Sequence, residues 1–197
     1  MGIGTRHQIG TDNFASLPLV FIDIETTGDN VREGGEICEI GLVKTDPTGQ
    51  RVLVDMNLKV AIQNSRNRSE DELSYGGYNG FNFAEWESAI PPELAMKTLN
   101  EFCTGCVPWA YNVSFEFRWL GEYFDAYELD WQGDYHWFDL MTEAVSTLRA
   151  DFLARRISKL SLSSVGSYLG LAPEAMPHRG LAGARYEWEV YRLLPQR

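Results

Sequence analysis

Residues 17–25, LPLVFIDIE, alternate along the chain: Leu19, Phe21, Asp23 and Glu25 fall on one face, Val20, Ile22 and Ile24 on the other. That period of two predicts a strand. EICEIGLVKT (36–45) and RVLVDMNLKV (51–60) predict two more, and the short link DPTGQ between them predicts an antiparallel hairpin. Residues 61–90 have no clear period. A helix is expected from Pro91 or Pro92, where proline is tolerated, to about Phe102. VPWAYN (107–112) reads as a short strand. Residues 114–127 read as a helix that Ser114 is able to cap. YHWFDLM (135–141) reads as a strand, with a helix following to about Arg155. SLSSVGSYLG (161–170) has a serine start and Gly170 as its stop. In the last segment, 180–194, Leu181, Ala184, Trp188 and Tyr191 recur at helical spacing. The order βββαβαβαα is that of an α/β fold with a mixed sheet.

The chain has 197 residues, which favours one domain over 17–197 after a flexible lead-in, 1–16. No apolar run approaches the roughly 20 residues of a membrane helix, so no membrane contact is expected. The first residues lack the apolar stretch of a secretory signal. Three cysteines without a disulfide pattern point to a reducing, cytoplasmic setting. The net charge of −11 argues against binding duplex DNA by overall charge. Nucleic acid would be held locally, through metal ions or a small basic patch, or not at all.

Against that background Asp23 and Glu25 stand out. Two unpaired carboxylates on one face of an interior strand are costly to bury as charges. Either one is protonated or a cation sits between them, and the strand holds no Lys or Arg to do so. Oxygen-only ligands suit Mg²⁺ or Mn²⁺, and such sites commonly handle phosphates. The plainer alternative is that the acids cap a loop or helix at the strand's edge.

The residues around the pair carry a resemblance. FIDIETTG resembles the first motif of the DEDD exonucleases. YNVSFEF (Tyr111, Asn112, Phe115, Glu116) is similar to their second motif, His-Asn, two residues, Phe-Asp. HRGLAGA, starting at His178, is similar to the third motif of their histidine branch, His, four residues, Asp. WFDLM, with Asp139, and KLSLSSVGSYLGL resemble the family's intervening elements, and the likeness spans residues 18–194. It implies a ribonuclease H-like fold, a mixed central sheet flanked by helices, and a 3′–5′ exonuclease acting on single-stranded 3′ ends, DNA favoured over RNA. It implies two divalent cations, Mg²⁺ or Mn²⁺, held by Asp23 and Glu25 with Glu116 in support. His178 would be the general base taking a proton from water. Thr26, Thr27, Gly28, Asn112 and Phe115 would contact the substrate, Phe115 by stacking.

Three positions depart from the pattern. Glu116 stands for Asp, one methylene longer, and Tyr111 for His. Gly183 stands where the fourth acid belongs and offers no side-chain oxygen, so impaired activity is expected. Either the natural enzyme has Asp here and this chain carries a substitution, deliberate or accidental, or the loss is rescued by Glu187 one turn on if the helix is shifted. Otherwise the chain is an inactive module that binds nucleic acid ends or a protein partner. Elsewhere, Cys103 and Cys106 have zinc-like spacing but no completing pair, and read as packing cysteines. YGGYNGFNFAEW (75–86) reads as a self-packed loop or a substrate lid. Arg66 and Arg68, or Arg155, Arg156 and Lys159, are either phosphate grips or a solvated face.

Overall fold

The computed structural model describes residues 14–67 and 80–195. Strands β1 (Leu19–Thr26), β2 (Ile37–Thr45) and β3 (Val52–Lys59) come first. Helices α1 (Phe83–Trp86) and α2 (Pro92–Cys103), strand β4 (Val107–Ala110) and helix α3 (Ser114–Ala126) follow. The chain ends with β5 (Phe138–Asp139), α4 (Leu140–Thr147), α5 (Arg149–Leu153), α6 (Leu162–Tyr168) and α7 (Gly180–Leu193). The sheet order is β3-β2-β1-β4-β5, antiparallel from β3 to β1 and parallel from β1 to β5. This is the mixed sheet flanked by helices that the pattern and the resemblance imply. No helix among the described residues is long and apolar enough to cross a membrane.

The alternation in β1 sorts its side chains between two cores. Val20, Ile22 and Ile24 pack with Ile40, Leu42, Met96, Leu99 and Trp119, beneath α2 and α3. Leu19 and Phe21 face α7 and meet Val43, Val107 and Ala184. Burial of each large side chain contributes about 1.5–3 kcal/mol, so β1 is anchored from both sides. Cys103 and Cys106 are unpaired thiols in the first core, as packing cysteines should be.

Several expected elements differ in detail. The strand read over 135–141 shrinks to Phe138–Asp139. Asp134 takes the His136 N–H at 2.8 Å and bends the chain before it, and Asp139 caps α4 at once after it. The helix read to Arg155 breaks at Leu148 into α4 and α5. Ser114 does not cap α3. It is the helix's first residue, and its Oγ donates to Asn112 Oδ1. α1 went unread, although Asn82 caps it by accepting the Glu85 N–H at 2.8 Å. Phe81 and Trp86 are buried with Cys38 and Ile62, so this part of the aromatic segment packs on the domain. Residues 75–79 and Arg68 lie outside the described residues. Of the lead-in, Phe14–Ser16 form a 3-10 turn, and residues 1–13 lie outside them too.

Candidate active site

β1 delivers Asp23 and Glu25 to the end of the sheet where β4 gives way to α3. A cleft of about 500 Å³ opens there, lined among others by Asp23, Glu25, Glu116, Glu174, His178 and Glu187. Three of these come from the first two motifs, two, Glu174 and His178, from the loop before α7, and Glu187 from α7 itself.

Local structure explains each position. After β4 the chain turns through Asn112 at φ 65°, a left-handed conformation that asparagine tolerates better than most residues. Asp139 Oδ1 accepts the N–H groups of Asn112 and Val113 at 3.0 and 3.3 Å while also capping α4. The start of α3 is thereby pinned to the end of β5. Glu116 lies in the first turn of α3, where the helix dipole favours an acid. It is only 3% exposed, and its Oε2 has no hydrogen-bond partner among the described residues.

The start of α7 is held by β2. Glu39, fully buried, accepts the Gly180 N–H at 3.1 Å and stands 3.2 Å from Arg179 Nε. Arg179 also pairs with Glu85 at 2.7 Å. Gly41, opposite Asp23 in the sheet, lies directly under Gly180. A Cβ at Gly41 would collide with the Gly180 carbonyl, and one at Gly180 would stand 2.7 Å from Gly41 N. One turn on, a Cβ at Gly183 would collide with Asp23 Oδ2 and stand 2.7 Å from Asp23 Cγ. One further turn on is Glu187, 1% exposed. Its Oε1 accepts the Tyr111 N–H at 2.8 Å, and its Oε2 has no partner among the described residues.

Burial and mutual repulsion act together on these acids. Burial holds the Asp23 carboxyl well above the usual carboxylate range, with the charges of Glu174 and Glu39 adding to it. Glu25 is pushed up to about 10, by burial first and Asp23 second. Glu116 and Glu187 are raised by burial and then by Asp23. Asp29 also lines the cleft, and among the described residues no Lys or Arg does. Such a pocket repels a phosphate unless cations enter with it. Among the described residues no three His, Cys, Asp or Glu side chains form a ready-made metal cage. Magnesium-like ions keep several waters and are held through one or two carboxylates together with a substrate's phosphates. Acid oxygens, two of them buried and unpartnered, fit such ions by donor type.

The structure brings together Asp23, Glu25, Glu116 and His178, as the motifs imply, and places Thr26, Asn112 and Phe115 on the same cleft. Phe115 stacks obliquely on Trp119 at 5.9 Å, leaving a half-buried ring at the rim. Thr27 and Gly28 lie outside the lining. Thr27 Oγ1 accepts the Glu36 N–H at 2.9 Å and so serves the loop itself, and a Cβ at Gly28 would stand in ordinary contact with Gly35. Arg155, Arg156, Lys159 and Arg66 are exposed away from the lining, and Arg156 pairs with Asp151. Sequence reasoning missed Glu174, whose Oε1 lies 3.2 Å from His178 Nδ1. Its only signal was a carboxylate four residues before the histidine. It also missed that Tyr111, in place of the motif's His, ties the cleft to the next loop through its hydroxyl and Leu160 O at 2.6 Å.

Residues 20–191 match the profile of the RNase T family, described as exonuclease. No curated protein matches the chain. Among solved structures, E. coli exonuclease I complexed with single-stranded DNA, in its zinc-bound form, has a TM-score of 0.68 at 16% identity. That match covers 90% of this chain and 40% of exonuclease I, so the chain spans about two-fifths of that protein's length. The nuclease domain of 3′hExo, described as a DEDDh family member and bound to rAMP, has a TM-score of 0.68 at 15% identity, covering 89% of this chain and 90% of that one.

Proposed function

The chain belongs to the RNase T exonuclease family, and from that premise we propose that it is a metal-dependent 3′–5′ exonuclease of single-stranded nucleic acid, DNA favoured over RNA. The observation that carries this is the cleft: acids at the family's motif positions beside His178, with no Lys or Arg in the lining among the described residues. The description of exonuclease I with single-stranded DNA supports the choice of substrate.

Asp23, Glu25 and Glu116 are assigned to hold the cations. Mg²⁺ or Mn²⁺, when bound, would neutralise phosphate oxygens and acidify a water. His178 is the general base. With its Nδ1 turned to Glu174, Nε2 is the nitrogen that takes the proton from the attacking water. The water oxygen bonds to the last phosphorus, the bond from phosphorus to the 3′ oxygen breaks, and a 5′-mononucleotide leaves. Phe115 offers its ring to the terminal base, and Thr26 lies beside the acids.

The test uses oligonucleotides labelled at either end, of DNA and of RNA, with Mg²⁺ or Mn²⁺. Stepwise loss from the 3′ end is expected. Asp23→Asn should lower the rate by more than about 100-fold, beyond the cost of losing an outer partner of a metal ligand. Loss from the 5′ end, or an unchanged rate in that variant, overturns the assignment. Gly183 motivates the competing reading, an inactive end-binding module. That reading predicts tight binding of single strands with no cleavage under any metal.

A further inference from the structure

We infer that Glu187 is the fourth carboxylate of this site, displaced by one helical turn from its expected place, and that Gly183 is a packing glycine that makes the displacement work. This rests on the metal-dependent exonuclease reading above.

Three independent observations converge. The first is the helix's seat. Gly41 and Gly180 meet backbone to backbone, and Glu39 grips the Gly180 N–H, so the first turn of α7 lies on β2 with no side chain between them. The second is the space at 183. Asp23's carboxyl group fills the place where a Cβ would stand, so that carboxyl would have to turn aside for any side chain at 183 to enter. A glycine inside a helix costs about 1 kcal/mol relative to alanine, and here the close approach of Asp23 is the compensating reason. The third is Glu187 itself. It lines the cleft with Asp23 and Glu116 and is 1% exposed. One of its oxygens is fixed by the Tyr111 N–H, and the other has no partner among the described residues. A carboxylate buried solely for structure would be expected to have both oxygens satisfied. One anchored and one spare oxygen is what a cation ligand needs.

The neighbouring departures fit the same arrangement. Residues 183 and 187 are four apart and share a helix face. Glutamate reaches one methylene further than aspartate from the more distant position. Tyr111 supplies the backbone N–H that aims Glu187, and its ring and hydroxyl hold that backbone in place.

The experiment measures Mn²⁺ and Mg²⁺ binding by calorimetry, the metal-induced shift in Tm, and 3′-end cleavage. It compares the unaltered protein with Glu187→Gln, Gly183→Asp, Gly183→Ala and Asp23→Asn. Glu187→Gln keeps an oxygen for the Tyr111 N–H and removes the charge. It is expected to fold, to lose at least tenfold in metal affinity and to lose cleavage with it. Gly183→Asp is expected to bind metal more weakly than the unaltered protein. Gly183→Ala, with a Cβ and no carboxylate, should weaken metal binding in the same direction. Normal metal affinity in folded Glu187→Gln, when Asp23→Asn has lost it, overturns the assignment of Glu187 and leaves the exonuclease reading standing. Tighter metal binding and faster cleavage by Gly183→Asp overturns it too, because position 183 would then be a vacated ligand. If the unaltered protein neither binds these metals nor cleaves, the exonuclease reading fails and this inference with it.

Discussion

The two halves of α7 meet the sheet in different ways. At its N-terminal half Gly180 rests on the Gly41 backbone with no side chain between, and Gly183 leaves room for the Asp23 carboxyl. At its C-terminal half rings hold it off: Tyr191 packs edge-on to Phe21 at 5.3 Å and to Trp109 at 5.0 Å. Trp188 donates to Gly49 O at 2.9 Å, and Val190 joins a separate core with Leu140, Ala144 and Val165. The first half is tightly seated through glycines, the second spaced by bulk. A helix so seated carries Glu187 into the cleft, at the junction of the two halves. The candidate site lies beside the close-packed end.

Substitutions should separate these halves. The largest effect is expected from Gly41→Ala. Its methyl meets the Gly180 carbonyl, which belongs to backbone that cannot rotate aside. Overpacking of this kind costs typically 1–3 kcal/mol, and rigid backbone places it at about 3. Urea unfolding would register the loss, and cleavage should fall along with it. An effect below 0.5 kcal/mol would show that α7 is not seated as described.

Divalent metal is next. Mg²⁺ at a hundred times its Kd should stabilise the protein by about 2.7 kcal/mol, which is about 5–10 °C in Tm for a chain of this size. The pH dependence follows from the raised carboxyls. Asp23, Glu25, Glu116 and Glu187 bind protons more tightly folded than unfolded. Their neutral forms therefore favour folding fully below about pH 4, and this contribution is lost as pH rises through their folded values, about 10 for Glu25. With chelator present, Tm should fall steadily from pH 5 to 9. With saturating Mg²⁺ it should fall less, since the cation then offsets the charge. A Tm rising with pH under chelator would contradict the burial of these groups.

Val190→Ala probes the other half. Losing two buried methyl groups should cost about 1–2.5 kcal/mol, with metal affinity changed less than twofold. A large loss of metal binding in this variant would mean that the two halves are not separable. Arg185 gives the smallest effect. It lies on the outer side of α7 and pairs through Nε with Asp55 at 2.9 Å, partly in solvent. Arg185→Ala should change stability by less than about 1 kcal/mol and leave cleavage intact.

Much of this was legible residue by residue. The period of two in β1 to β3 marked the strands, because alternate side chains must face opposite layers. Asp23, Glu25, Glu116 and His178 could be named from their motifs, because those side chains meet wherever the fold is kept. Asp139 could be named but its work could not: it joins the start of α3 to β5 through backbone amides that carry no mark in sequence. Glu174 was invisible for a similar reason, since a carboxylate in a loop reads as solvated until a histidine is seen beside it.

Gly183 marks the boundary between the two kinds of information. Local pattern established that residues 180–194 form a helix, that a histidine precedes it, and that an acid is missing at one position and present four residues later. It left open which of those positions faces the cleft. That answer depends on how closely α7 lies against β2, through contacts between residues nearly 140 apart in the chain, such as Gly41 with Gly180 and Glu39 with the Gly180 N–H. Periodicity records the direction of a side chain around its own helix axis, whereas the distance of that axis from its neighbour is set by packing.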